Sequence, residues 1–220
     1  KLTDVDGVYS EDPRVGENAV LIDELGYEQL KTIVSKSPPR AGTYKLMDDI
    51  ALNILSRSGI RTIVARGTQP SAINCAISES IGTLLLPDDQ LRSLGKEIED
   101  LFSSCGFLVE ERNLPLRTRP LATSNVLLRR DKIRLAVEYR ARDNVPPSTI
   151  QNAAELAQKK SGYMPIVIAT GFSEEAVRAA SENNVLLVRK DRLRHLEPKL
   201  RHRDIEFETL RTAEANVLGE

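Results

Sequence analysis

Apolar and polar positions along the chain follow helical spacing in some stretches and form short continuous apolar runs in others. The clearest helical spacing predicts an amphipathic helix that is apolar at Met47, Ile50, Ala51, Ile54 and Leu55. The runs Thr62–Ala65 and Thr83–Leu86 predict short buried strands, and Pro70–Ile77 predicts a helix between them. With a further helix around residues 25–34, this alternation predicts an α/β domain whose parallel sheet is covered by helices.

A new helical period starts after Pro87-Asp88-Asp89, and we place a domain boundary there. The helix that follows is apolar at Leu91, Leu94, Ile98, Leu101 and Phe102. Beyond it, the pattern predicts three strands, a helix, a strand, a helix and a strand, ending near residue 188. We therefore predict domains at residues 1–87 and 88–190, followed by a polar C-terminal extension at 191–220.

The overall composition changes this picture little. The chain has 220 residues, of which 40% are hydrophobic and 29% charged, and its net charge is −1. No apolar run approaches the roughly 18 residues that a membrane-spanning helix requires, so we expect a cytoplasmic protein with no membrane partner. Cys75 and Cys105 predict free buried thiols, and His195 and His202 have no partners at metal-ligand spacing. We predict no metal site.

Positive charge is concentrated between Arg112 and Arg142, where nine basic residues stand against two acids. In the predicted strand 133–139, alternate side chains share a face, so one face is apolar and the other charged. The charged face is either solvated or a surface that binds nucleic-acid phosphates. The candidate residues for the second interpretation are Arg129, Arg130, Arg134, Glu138, Arg140 and Arg142.

The first thirteen residues hold the most informative chemistry. An ATP-binding loop needs donors and acceptors for ribose and phosphates, an apolar surface for adenine, and a flexible backbone. The Asp6-Gly7 turn supplies the flexible backbone, and the side chains are those of Thr3, Asp4, Tyr9 and Asp12. An Asp-Gly turn followed by Tyr is also typical of a plain hairpin connection.

The run Thr3–Tyr9 with Asp12-Pro13 closely resembles the ATP-side loop of the amino acid kinase family. Three later motifs resemble the C-terminal half of an archaeal-type UMP kinase, at residues 41–48, 58–64 and 81–84. The resemblance covers about residues 1–86 and implies the ATP-side lobe of that fold. It also implies ATP with Mg²⁺ as cofactors, UMP as the second substrate, and homo-oligomers, usually hexamers.

The same resemblance implies that Thr3, Asp4, Tyr9 and Asp12 contact ATP, although the family often has Asn where this chain has Asp4. The family's glycine-rich phosphate loop, catalytic lysine and UMP pocket lie upstream of this loop. We therefore expect the chain to start within a domain, to contain no catalytic residue of the kinase, and to hold its loop poorly organised. An ATP-binding portion of a UMP kinase in pyrimidine nucleotide biosynthesis, incomplete here, is the leading hypothesis.

The second domain resembles the restriction-endonuclease-like fold of the PD-(D/E)xK superfamily, in its Mrr-like branch. The resemblance depends on an αβββαβ order of elements, on Asn125 before Glu138-Tyr139-Arg140, and on Gln151 in the next helix, with Glu97 as an additional acid. In that family an Asp and the Glu hold Mg²⁺, and a Lys positions the attacking water.

Here Asn125 replaces the Asp and Arg140 the Lys, so we expect a nuclease fold that no longer cuts. The alternative function is therefore a nucleic-acid-binding module with an inactivated nuclease fold. A fusion without joint function is a third possibility.

Overall fold

The computed structural model of the chain describes residues 1–14, 16–36, 47–68, 70–79, 81–114, 124–159 and 161–202. The chain divides into two compact units, and the division falls between Arg92 and Ser93. We call them the N-terminal unit and the C-terminal unit. The motif residues 41–46, together with Arg117, Arg119 and residues 203–220 of the predicted extension, lie outside the described ranges.

The N-terminal unit contains six short strands and three helices within the described residues. In chain order these are β1 (Leu2–Thr3), β2 (Val8–Tyr9), β3 (Leu21–Ile22), β4 (Glu24–Gly26), α1 (Tyr27–Lys36), α2 (Asp49–Ser58), β5 (Thr62–Arg66), α3 (Ala72–Ile77) and β6 (Thr83–Leu86). Four strands form one sheet in the order β1-β5-β6-β4, and β2 and β3 form an antiparallel pair. The two predicted strands and the helices near them are therefore confirmed.

The prediction of a parallel sheet is wrong for its central pair. β1 is parallel to β5 and β4 is parallel to β6, but β5 and β6 run antiparallel. The six residues of α3 extend about 9 Å, whereas the five residues of β5 extend about 17 Å. β6 returns beside β5 in the opposite direction, so the connection through α3 is not a parallel crossover.

Helix α2 forms where its periodicity predicts, and part of the predicted apolar face packs as expected: Met47, Ala51 and Leu55 lie in or against the core, whereas Ile50 and Ile54 are exposed. Asp48 caps its start by accepting a hydrogen bond from the Ala51 backbone N–H (2.7 Å), and Gly59 ends it with a φ of 64°. Leu52 is 1% exposed and packs in the core of the unit, whereas Ile50 is 73% exposed. Periodicity predicts that a helix has an apolar stripe, but the neighbouring elements decide which edge of the stripe is covered.

The C-terminal unit has the predicted order of elements. Helix α4 (Asp88–Ser104) leads into it and is followed by β7 (Leu108–Arg112), β8 (Asn125–Arg130), β9 (Ile133–Tyr139), α5 (Pro147–Lys159), β10 (Met164–Ala169), α6 (Glu174–Asn183) and β11 (Leu186–Arg189). The sheet order is β11-β10-β9-β8-β7, antiparallel from β7 to β9 and parallel from β9 to β11. The helix, three strands, helix, strand, helix and strand of the prediction are all confirmed.

This five-stranded sheet is covered on both faces. α4 packs on one face together with α7 (Leu193–Leu200), which follows a 3₁₀ turn at Lys190–Arg192. α5 and α6 pack on the other face. Helix α7 lies in the stretch predicted as a polar extension, yet Leu193, Leu196 and Leu200 are buried in the core. No helix in the described ranges is long and apolar enough to cross a membrane.

Candidate functional site

The loop after β1 is delivered to the sheet by a short but paired strand. Leu2 lies opposite Ala65 and Thr3 opposite Arg66, so β1 and β5 end at the same edge of the sheet. The Ala65 N–H donates to the Lys1 carbonyl (3.1 Å), and the Gly67 N–H donates to the Thr3 carbonyl (2.8 Å). The expectation of a poorly organised loop is therefore wrong, because β5 holds its base.

Gly7 brings the loop back onto the sheet at Thr83. A Cβ atom at Gly7 would lie 2.5 Å from the Thr83 Oγ1 atom, which is too close for any other residue type without a shift. The Thr83 hydroxyl is fully buried; it accepts from the Val8 N–H (2.7 Å) and donates to the Ile22 carbonyl (2.5 Å). Val8 and Tyr9 then pair with Ile22 and Leu21. The Asp6-Gly7 turn thus opens a hairpin and belongs to the candidate loop as well.

Asp6 is the centre of a chain of contacts that ends at Tyr9. The Arg66 guanidinium donates from Nε to Asp6 Oδ1 (2.6 Å) and from Nη2 to Asp6 Oδ2 (3.3 Å). The Tyr9 hydroxyl donates to Asp6 Oδ2 (2.9 Å). The hydrogen bond from Arg66 lowers the pKa of Asp6. Burial, and then the bond to Asp6, raise the pKa of Tyr9.

The other predicted ligand residues meet at Arg14. Its guanidinium pairs with Asp4 Oδ2 (2.6 Å), and its backbone N–H donates to Asp12 Oδ1 (3.0 Å). The Thr3 hydroxyl donates to Asp4 Oδ1 (3.2 Å). Thr3, Asp4 and Asp12 are therefore gathered on one side of the loop, while Tyr9 is linked to Asp6.

Sequence reasoning missed three residues of this arrangement: Asp6 as a contact residue, Arg14 and Arg66. Arg14 follows Asp12-Pro13 directly, and its position in the loop was an available signal. Arg66 is sixty residues from Asp6, and only the register of β1 with β5 could have indicated it.

The loop offers hydrogen-bond acceptors suited to ribose hydroxyls and one aromatic ring suited to a base. In the described ranges, no group of three His, Cys, Asp or Glu side chains is arranged to hold a metal ion.

In the C-terminal unit, three of the four predicted nuclease positions, Asn125, Glu138 and Arg140, are buried. Asn125 lies directly opposite Glu138 across β8 and β9, and the two residues are 1% and 0% exposed. The Asn125 amide is engaged by the backbone of Leu114: its Oδ1 accepts from the N–H (2.7 Å) and its Nδ2 donates to the carbonyl (3.0 Å). Asn125 thus holds the two chain segments together.

The prediction that Glu138, Arg140 and Arg142 belong to an exposed charged face is wrong. All three are at most 1% exposed. Arg140 donates from Nη2 to Glu138 Oε1 (2.5 Å) and from Nη1 to the Tyr139 carbonyl (2.7 Å). The face is buried because β9 is the central strand of the sheet and helix α5 packs on it, where Leu156 meets Ala136. Parallel sheets with helices on both faces leave no strand face to solvent.

Helix α5 buries other polar residues than the predicted one. Thr149 and Asn152 are buried, whereas Gln151 is exposed. Glu97 lies on α4, which packs on the opposite face of the sheet, and pairs with Lys190 (3.1 Å).

Arg130 has a structural role instead of the predicted exposed one. Its guanidinium donates to the carbonyl groups of Cys105 (2.6 Å), Leu200 and His202 (2.5 Å), at the ends of α4 and α7. It also lies 4.6 Å from the ring centroid of Phe107. Cys105 is a free, buried thiol as predicted.

Two of the predicted arginines do reach the surface. Arg129 lies opposite Arg134 where the β8–β9 hairpin nears its turn. Arg129 pairs with Glu110 (2.9 Å), and Arg134 lies 5.9 Å from the ring centroid of Tyr163.

The comparisons with known proteins concern the N-terminal part of the chain. Residues 1–66 match the model of the amino acid kinase family. Uridylate kinase of Archaeoglobus fulgidus is 42% identical over 83 residues, which cover 38% of this chain and 38% of the relative. Uridylate kinase of Sulfurisphaera tokodaii is 40% identical over 87 residues, which cover 39% and 38%.

A crystal structure of the Archaeoglobus fulgidus uridylate kinase aligns at 38% identity with a TM-score of 0.30, covering 38% of this chain and 37% of that one. The chain thus contains a segment homologous to uridylate kinases and spans less than two fifths of the length of these curated relatives.

Proposed function

We propose that the N-terminal unit is the ATP-binding portion of a UMP kinase that transfers the γ-phosphate of ATP to UMP. The observation that carries the proposal is the uridylate kinase homology of this part of the chain, which includes the ordered loop at the edge of β1 and β5. Nucleotide loops are commonly placed where parallel strands end. The loop chemistry and the homology support the same function.

Each predicted ligand residue has a role in this proposal. The Asp4 and Asp12 carboxylates accept hydrogen bonds from ribose hydroxyls, and Thr3 supplies a further hydroxyl. The Tyr9 ring provides a flat surface for adenine. Because Asp4 is already paired with Arg14 at 2.6 Å, nucleotide binding and this ion pair share one carboxylate. Mg²⁺ arrives with the ATP phosphates and neutralises part of their charge.

We place the catalytic step outside the described residues. Phosphoryl transfer depends on positioning and on neutralising the transferred group, and a loop that contacts only adenine and ribose does neither at the γ-phosphate. The UMP pocket, the phosphate loop and the homo-oligomeric assembly belong to the complete enzyme in this proposal.

Calorimetric titration of the 220-residue chain with MgATP tests the proposal. We expect saturable binding that is weakened at least tenfold by Tyr9→Ala and by Asp12→Ala. Arg178→Gln, in the C-terminal unit, serves as the control and leaves the affinity unchanged. Equal affinities for the wild type and both loop variants would contradict the proposal. UMP-dependent ADP formation by this chain would contradict the placement of catalysis elsewhere.

A second candidate function concerns the C-terminal unit, which we propose to be restriction-endonuclease-like and to bind nucleic acid without cutting it. The observation that favours it is the pairing of Asn125 with Glu138 in a sheet with the predicted order of elements. Because Arg140 and Arg142 are buried, any phosphate contact would use Arg129 and Arg134 at the hairpin.

A further inference from the structure

We infer that Arg66 is a positioning residue for nucleotide binding, which acts through Asp6 to fix the ring of Tyr9. The inference deepens the proposed function and rests on it, since Tyr9 matters here as the adenine contact. Arg66 itself need not touch the nucleotide. It is the last residue of β5, on the strand that holds the base of the loop.

The contact between Arg66 and Asp6 has a defined geometry. Two guanidinium nitrogens meet the two carboxylate oxygens, at 2.6 and 3.3 Å. Such two-point contacts fix the plane of the carboxylate as well as its distance, which a single ammonium group does not do. Because Thr3 lies opposite Arg66 in the sheet, the backbone from which the Arg66 side chain extends is fixed by strand pairing.

The oriented carboxylate then restrains Tyr9. Asp6 Oδ2, which accepts from Arg66 Nη2, also accepts from the Tyr9 hydroxyl at 2.9 Å. On the other side of Asp6, the backbone is held against Thr83 through Gly7 and Val8. Tyr9 is thus restrained at its backbone and at its hydroxyl, and the restraint on the hydroxyl depends on Arg66.

A contribution to stability does not explain this pair. The Arg66 and Asp6 side chains are 47% and 48% exposed, and ion pairs at such exposure stabilise a fold very little. Orientation of Tyr9 is the larger effect of the contact. Charge is the competing explanation, because Arg66 also neutralises one of the carboxylates near a site for a triphosphate.

The variant Arg66→Lys separates the two explanations, since it keeps the charge and loses the two-point contact. We expect both Arg66→Lys and Arg66→Gln to weaken MgATP binding by about threefold to tenfold, which lies in the lower part of the range of coupling between residues in one hydrogen-bonded network. In a Tyr9→Phe background, where the hydroxyl contact is absent, Arg66→Lys should cause no further loss. Arg61→Gln is the matched control: it breaks another arginine–carboxylate pair in this unit, with Glu79 at 2.6 Å, and should leave the affinity unchanged.

Wild-type affinity in Arg66→Lys, with loss only in Arg66→Gln, would overturn the inference in favour of charge. An equal loss from Arg66→Lys in the Tyr9→Phe background would also overturn it. A second measurement does not need nucleotide: NMR of ¹³C-tyrosine-labelled protein should show that Arg66→Lys shifts the Tyr9 ring signals and leaves those of Tyr27 in place. Unshifted Tyr9 signals overturn the inference. A wild type that does not bind MgATP, with Tyr9 signals that do shift, contradicts the proposed function and leaves Arg66 as a positioning residue of Tyr9 alone.

Discussion

Asn125 and Glu138 face each other across two antiparallel strands, and both are buried. Asn125 exchanges two hydrogen bonds with the backbone of Leu114, and Glu138 is paired with Arg140 at 2.5 Å. Each of the two residues therefore makes a defined contact inside the C-terminal unit.

Breaking the buried pair should destabilise the C-terminal unit strongly. Arg140→Met leaves the Glu138 carboxylate buried without its guanidinium, which should lower the free energy of unfolding by about 3–5 kcal/mol. Arg201→Met breaks an exposed pair with Glu197 (2.6 Å) and should cost less than about 1 kcal/mol. Urea unfolding followed by circular dichroism measures both. Equal costs would show that burial adds nothing to the Glu138–Arg140 pair.

Arg130 should prove to be a stability residue. Arg130→Met removes its charge-assisted hydrogen bonds to the carbonyl groups at the ends of α4 and α7, with an expected cost of about 1.5–3 kcal/mol. Arg129→Met, on the same strand but paired with Glu110 at the surface, should cost less than about 1 kcal/mol. The urea unfolding midpoints of the two variants measure these costs. A larger loss of stability in Arg129→Met than in Arg130→Met would contradict the structural role of Arg130.

Thr83 allows a test of the loop anchor by a matched pair of variants. Thr83→Val keeps the shape but leaves the Val8 N–H without its buried acceptor, so the free energy of unfolding should fall by about 1–3 kcal/mol. Thr83→Ser keeps the hydroxyl and should cost clearly less. Thermal unfolding of the three proteins measures the difference, and amide exchange at Val8 should accelerate only in Thr83→Val.

The Asp6–Arg66 contact should respond to acid. Because the folded chain holds the pKa of Asp6 below its ordinary value of 3.8, the stabilisation is complete above that value and is lost as the pH falls through the lower folded value. Asp6→Asn should therefore be less stable than the wild type at pH 6, by at most about 1 kcal/mol. The gap should close in acid below pH 3.8. Urea unfolding over this pH range tests it, and a gap that does not change with pH would contradict the assignment.

Nucleic-acid binding by the whole chain, if the second candidate function holds, should depend on the exposed hairpin. Arg129→Gln with Arg134→Gln should weaken binding to duplex DNA and reduce the salt dependence by about two units of slope, one for each phosphate contact. Arg178→Gln on the exposed side of α6 is the control and should change neither. Fluorescence anisotropy at several salt concentrations measures the slope. An unchanged slope would exclude the hairpin as the contact.

The elements of the chain could be predicted because helical and strand periodicities are local properties. All helices and strands predicted in the second domain are present, and helix α2 begins and ends where its caps indicate. The buried faces could not be predicted in the same way. Helical spacing predicts that Ile50 is buried, but it is exposed, and strand alternation predicts that Arg140 lies on a charged face, but it is buried. The burial of each residue depends on a neighbouring element that the local pattern does not contain.

The candidate loop also has a part that could be predicted from local sequence and a part that could not. Its four predicted ligand residues could be named from one continuous stretch, and they do lie in one ordered loop. Arg66 could not be named, because its proximity to Asp6 arises from the pairing of β1 with β5. The register of strands that are distant in sequence therefore determines a part of the candidate site that no local motif contains.

The contacts of Arg130 with carbonyl groups at the ends of α4 and α7 bear on the C-terminal boundary of the second domain. A chain cut at Lys190, the end of the predicted domain, would lose Leu193, Leu196 and Leu200 from the core and remove two of the three carbonyl partners of Arg130. Such a chain would expose an apolar sheet face and aggregate. A version of the C-terminal unit that keeps these contacts therefore has to include at least the residues up to His202.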